Sequence, residues 1–208
     1  MSTKRQSAKK PKISVIIPVH NQEKRIITVL KSITEQVYKE FELIVIASGC
    51  TDRTEQIVSR FIKMHPKITI SLIIEPNKEI SKARNKGAKF AKSNLLLFLD
   101  PDTILDYNCL FKIDQYMTSE IAVATCHSKL TKGSFFSSIP LMLRNTLCRL
   151  RIIKGINNSL ICWRGHFEKV KGYNEKCTEK EHEDLTQRLL KHGKYKWVPT
   201  AFVNISQR

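Results

Sequence analysis

Along the first half of the chain, apolar residues come in short unbroken runs. Each run is followed by polar residues and then by apolar positions recurring every three or four residues. ISVIIPV, starting at Ile13 and rich in β-branched side chains, is followed by the polar HNQ and then by Ile26, Ile27, Leu30, Ile33 and Val37 at helical spacing. The unit recurs as FELIVIA, SGCTDRT and the set Ile57, Val58, Phe61 and Ile62, and again as ITISLII with the helical stretch ISKARNKGAKFAKS. A fourth run, NLLLFLD, stops at Asp100-Pro101-Asp102. Strands that are apolar throughout need cover on both faces, and the intervening helices supply it. The pattern predicts a single α/β, Rossmann-like domain with a mainly parallel central sheet flanked by helices.

The second half is less regular. A helix is expected after Tyr107, a strand at IAVATCH and a further strand at NNSLICW. GHFEKVKGY reads as a turn; EHEDLTQRLLKHG reads as a helix with Leu185, Leu189 and Leu190 on one face and Gly193 as its C-terminal cap. The strand-like YKWVPTAFVNI follows. Residues 1–12 carry five basic side chains, no acid and little apolar surface, and read as a flexible basic tail before a domain over 13–208.

Charge changes the picture. Lys and Arg number 36 against 19 Asp and Glu, a net +17, so the partners should be anionic: nucleic acid, an acidic membrane surface or phosphorylated small molecules. The six cysteines form no CxxC or Cys/His cluster, which argues against structural zinc and for free thiols in a reducing, cytoplasmic setting. No run approaches the roughly 20 apolar residues that span a bilayer. From residue 121 to residue 167 there is no acid, while Arg144, Arg149, Arg151 and Lys154 interleave with Leu141, Leu143, Leu147 and Leu150. Such a span suits either a core helix with basic flanks or a surface meeting phosphate and apolar groups together, as in peripheral contact with an anionic membrane.

In an open parallel sheet the ligand lies beyond the carboxyl ends of the strands. Strand one delivers Pro18, His20 and Asn21 there; strand two delivers Ser48, Gly49 and Asp52; strand four delivers Asp100 and Asp102. Paired carboxylates on a turn suit Mg²⁺ or Mn²⁺, which is held by one or two carboxylates plus substrate phosphates, although Asp-Pro-Asp is also good turn chemistry.

The segments SVIIPVHNQEKRI, FELIVIASGCTDRT, ISKARNKGAKFAKSNLLLFLDPDTIL and EHEDLTQRLLKHGKYKWVP, in this order, resemble the family 2 glycosyltransferases of the GT-A fold from about Ile13 to Pro199. The resemblance implies sugar transfer, with inversion, from a nucleotide-diphosphate sugar to an acceptor such as a glycan or lipid-linked group. It also implies a divalent metal on the diphosphate, a nucleotide-binding half at 13–102 and an acceptor-binding half at 103–208. Carried over by position, Pro18, Val19 and His20 would cradle the base and Asp52 would fix the nucleoside. Arg84 would face base or phosphate, Asp100 would lie near the ribose, and Asp102, with Asp100 beside it, would hold the metal.

Two departures stand out. Ala47-Ser48 replaces the acid that many members place against the uracil or ribose, so Ser48 offers only a hydroxyl and backbone groups. In the family pattern E-D-x-D-L-x-x-R-L, this chain reads Glu181-His182-Glu183-Asp184-Leu185-Thr186-Gln187-Arg188-Leu189, with histidine where the base aspartate usually stands. His182, Glu183 and Asp184 are the candidate bases, and an acidic first turn also stabilises a helix without catalysis. Beside the enzyme stand a catalytically weakened binding protein of the same fold, and a nonspecific nucleic-acid binder. The last has no readout motif in its favour, so no specific nucleic-acid partner is expected.

Overall fold

The computed structural model describes residues 11–130, 159–177 and 179–205. Most of the expected basic tail and the amphipathic 140–154 stretch lie outside them. The first half alternates β1 (Ile13–Val19), α1 (Ile26–Thr34), β2 (Phe41–Ser48), α2 (Thr54–Met64), β3 (Ile70–Glu75), α3 (Ile80–Phe90) and β4 (Leu95–Leu99). The second holds β5 (Thr103–Leu105), α4 (Cys109–Tyr116), β6 (Ile121–Leu130), β7 (Ser159–Trp163), α5 (Arg164–Lys169), α6 (Glu181–Leu189) and β8 (Lys194–Ile205). Among the described residues they form one eight-stranded sheet in the order β3-β2-β1-β4-β7-β6-β8-β5. The β3-β2-β1-β4 block is parallel, and β7 runs antiparallel to β4, with Ser159 beside Leu99.

Every residue of β1, β2 and β4 is buried, as continuously apolar strands require. Packed on one face are Ile26, Leu30 and Ile33 of α1, Val58 and Phe61 of α2, and Leu110 and Ile113 of α4. The other face is covered by Ala83 and Ala88 of α3, Phe167 of α5, and Leu185 and Leu189 of α6. Helix α3 approaches closely because its inner stripe is small: a Cβ on Gly87 would lie 2.5 Å from Ile16 Cγ2 and 2.7 Å from Ile46 Cδ1. That approach draws Arg84, one turn earlier, down to the end of β4.

Three expectations need correction. GHFEKVKGY is not simply a turn, because α5 begins directly after β7 with Phe167 buried, and the turn is confined to Lys171 and Gly172, both left-handed. Gly193 does close the helical segment, at the end of the 3₁₀ turn Leu190–His192, but with an extended rather than a left-handed backbone, and it is glycine because a Cβ would lie 2.8 Å from the Glu120 carbonyl. Strand β3, read as apolar and covered, is an edge strand, and Ile74 is 57% exposed.

Candidate active site

The carboxyl ends of β1, β2 and β4 open into a cavity of about 530 Å³ lined by residues of all three strand ends, of the loop into α3, of α3 itself and of the α6 start. That volume suits a small-molecule ligand. Pro18, Val19, His20, Ser48, Arg84, Asp100 and Asp102, all expected from the sequence, line it together. So do Lys78, Ile80 and Glu181, which the sequence reading passed over.

The rim formed by the β1 and β2 ends is closed on itself. His20 Nδ1 donates to the Ser48 carbonyl at 2.9 Å. The Ser48 hydroxyl donates to the Asn77 carbonyl at 2.6 Å and accepts from the Glu79 amide at 3.1 Å, so it shapes the loop into α3. Asn21, at positive φ, bonds to the backbone amide and hydroxyl of Thr51. The Asp52 carboxylate accepts the Glu23 amide at 3.0 Å and the Thr54 amide at 2.9 Å, and it lines an adjoining crevice with Asn21 and Arg25 rather than the main cavity. Burial works to raise the Asp52 carboxyl, but the Thr54 hydrogen bonds and the Glu23 amide outweigh it and hold the group below the usual range.

The wall formed by α3, the β4 end and α6 is different. Arg84 is 5% exposed at its side chain; its Nη2 donates to Asp100 Oδ1 at 2.8 Å, and its guanidinium lies over the Tyr173 ring at 5.2 Å. Its Nε and Nη1 are buried and find no hydrogen-bond partner among the described residues. His182, also buried, shares a 2.8 Å hydrogen bond between Nδ1 and the Tyr173 hydroxyl, while its Nε2 stands 3.6 Å from Asp100 Oδ1 without a hydrogen bond. Burial foremost, with the Arg84 charge, depresses the His182 imidazole against the pull of Asp100, so it is neutral near pH 7. Burial works to raise the Asp100 carboxyl, but His182 and Arg84 outweigh it and keep the carboxylate ionised.

The acids of α6 point to different tasks. Glu181 lines the cavity. Glu183 stands 3.9 Å from Lys180 Nζ. Asp184 holds Arg188 through Nε and Nη2, and Arg188 in turn donates to the Val170 and Gly172 carbonyls. His182 occupies the interior behind Asp100 and is not among the cavity-lining residues. The chemistry-bearing result is a pair of carboxylates, Asp100 and Asp102, beside a buried guanidinium with two open donors.

The glycosyl transferase family 2 model matches residues 14–188. The chain belongs to glycosyl transferase family 2. Among curated members, the glycosyltransferase GlyA of Streptococcus pneumoniae is 33% identical over 132 residues, 62% of this chain and 19% of GlyA. The teichoic acid poly(glycerol phosphate) polymerase of Staphylococcus epidermidis is 27% identical over 126 residues, 60% of this chain and 18% of the polymerase. This chain therefore spans less than a fifth of the length of either relative. Of solved structures, the mannosyltransferase PcManGT of Pyrobaculum calidifontis, in complex with GDP-Man and Mn²⁺, superposes with a TM-score of 0.79 at 17% identity, covering 95% of this chain and 57% of its own. TarS of S. aureus in complex with UDP-GlcNAc gives 0.76 at 22%, covering 95% and 59%. The family 2 chain thus has the GT-A fold expected from its motifs.

Lys78 and Glu181 were within reach of the sequence. The strand-end rule that selected His20, Ser48 and Asp100 applies equally to the polar EPNKE after β3, and Glu181 precedes the histidine already singled out. Tyr173 carried no local signal, since nothing in KGY indicates that its ring sits between Arg84 and His182.

Proposed function

We propose that this chain is an inverting, metal-dependent glycosyltransferase domain that moves a sugar from a nucleoside-diphosphate sugar to an acceptor hydroxyl. The observation that carries the reading is the buried Arg84 guanidinium, with two open donors, beside Asp100 and Asp102 at the carboxyl ends of a parallel sheet. Arg84 is already paired with Asp100, but two of its guanidinium nitrogens lack an acceptor among the described residues, and a diphosphate offers several acceptor oxygens.

Asp102 and Asp100 fit a hard divalent cation. Among the described residues no group of three or more His, Cys, Asp and Glu forms a cage of its own, so the remaining ligands would come from donor phosphates. Bound there, Mn²⁺ or Mg²⁺ would neutralise charge on the leaving diphosphate. Arg84 and Lys78 face the same charge from α3 and its entry loop, while Asp100 holds Arg84 in place. The base would lie against His20, whose Nδ1 proton is committed to Ser48, and against Pro18, Val19 and Ile80, which line the same cavity.

A glycan or lipid-linked acceptor is proposed from the acid-free, apolar-basic span over 121–167, which also suits peripheral contact with an anionic membrane. No helix among the described residues is long and apolar enough to cross a membrane. Replacing both Arg149 and Arg151 by Glu should release the protein from phosphatidylserine vesicles in co-sedimentation; undiminished binding would refute the membrane contact.

The donor test is calorimetric titration of UDP, GDP, CDP and dTDP with and without Mn²⁺. Selective, metal-dependent binding of one nucleotide supports the reading. Binding of none would refute it and would favour the reading of a binding protein that keeps the fold with a degenerate clamp, for which Ala47, Gln22 and His182 speak by standing where catalytic members often have acids.

A further inference from the structure

Resting on the donor reading above, we infer that Glu181 takes the acceptor proton and that His182, at the position where the family usually places the base, instead positions Asp100. Four observations on α6 separate the two roles. Glu181 is the α6 residue that lines the donor cavity, together with Arg84, Asp100 and Asp102. Asp184 is committed to Arg188, whose Nη1 fastens the Val170 and Gly172 carbonyls, so its carboxylate maintains the loop before α6. Glu183 lies toward Lys180 and away from the cavity. His182 is buried, its Nδ1 bonded to Tyr173 and its Nε2 3.6 Å from the carboxylate that grips Arg84.

A general base must reach the proton it removes, and a residue behind the carboxylate layer cannot do so without displacing it. Glu181 meets the requirement from the cavity wall. In the step assigned to it, the acceptor O–H proton moves to a Glu181 carboxylate oxygen and the acceptor oxygen's electron pair forms the bond to the anomeric carbon. The bond from that carbon to the diphosphate oxygen breaks, and its electron pair leaves on the diphosphate, facing Arg84 and Lys78. With water as acceptor, the same step releases free sugar and nucleoside diphosphate.

His182 acts one layer further out. Tyr173 fixes the imidazole through Nδ1 and at the same time carries the Arg84 guanidinium on its ring, so one side chain sets two members of the Asp100 cluster. Outer-layer contacts of this kind orient a ligating carboxylate rather than take part in bond making.

The test pairs calorimetric donor affinity in Mn²⁺ with steady-state release of nucleoside diphosphate from UDP-GlcNAc or GDP-mannose, whichever the wild type binds, with water as acceptor. Glu181→Gln should bind the donor as the wild type does and lose about 100-fold in turnover. His182→Phe, which keeps an aromatic ring without the nitrogens, should lose about tenfold in donor affinity with turnover at saturation nearly unchanged. His182→Gln, which restores a polar group toward Asp100, should recover most of that affinity. Wild-type turnover in Glu181→Gln would overturn the assignment, as would His182→Phe losing turnover with affinity intact. Either result leaves the donor reading standing. A wild type that binds donor but releases no diphosphate also removes the base role alone, whereas one that binds no donor overturns both this inference and the reading beneath it.

Discussion

The two sides of the cavity solve opposite problems. At the β1/β2 rim, the groups that the sequence brings to the sheet edge are satisfied by one another: His20 with Ser48, Ser48 with Asn77 and Glu79, Asp52 with two amides. On the wall formed by α3, the β4 end and α6, Arg84 Nε and Nη1 and His182 Nε2 are buried with no hydrogen-bond partner among the described residues. Buried polar groups are nearly always paired, so a closed network reads as architecture and an open one as a place for a ligand. On the proposed reading the donor's charge meets the α3 side, and the rim serves to shape the cavity.

The most damaging change should fall on the open wall. Arg84→Met removes the buried cation and leaves Asp100 without it, so nucleoside-diphosphate affinity should drop at least about 100-fold. The fold should lose about 3 kcal/mol by urea denaturation for the same broken pair. Unchanged nucleotide affinity would dissolve the distinction between wall and rim. Asp102→Ala should weaken Mn²⁺-dependent nucleotide binding by about 10- to 100-fold while leaving metal-free binding in place. An intact Mn²⁺ response would take the cation away from Asp102.

The distinction sharpens with smaller effects. Gly87→Ala forces a methyl against Ile16 and Ile46, so it should cost about 1–3 kcal/mol and, by lifting α3, should also lower nucleotide affinity. Stability lost with affinity intact would mean that the α3 position does not govern Arg84. Asp52→Ala should cost about 1–2 kcal/mol from the lost amide bonds and leave nucleotide affinity within twofold. A large affinity loss would instead give Asp52 a direct contact with the nucleoside.

Much of this was legible before the fold was seen, for reasons particular to each segment. The runs ISVIIPV, FELIVIA and LLLFL admit only strands covered on both faces, and the polar residues after them mark the site edge. Arg84 was less legible, because ISKARNKG reads as a charged helix; the small stripe of Ala83 and Gly87 seats it against the sheet, and that is a matter of packing. α5 was hidden in GHFEKVKGY by two glycines, only the second of which makes the turn. The difference between Glu181 and His182 depends on which way one helix is rolled, and adjacent positions on a nine-residue helix do not declare that in sequence alone.

The central claim is that the open wall receives the donor's diphosphate. Its most direct test is a crystal structure with Mn²⁺ and UDP or GDP, whichever binds in solution. The expected result is phosphate oxygen on Arg84 Nε or Nη1 and the cation between Asp102 and the diphosphate. A nucleotide ordered in the cavity with its phosphates on the β1/β2 rim, leaving both Arg84 donors open, would contradict it.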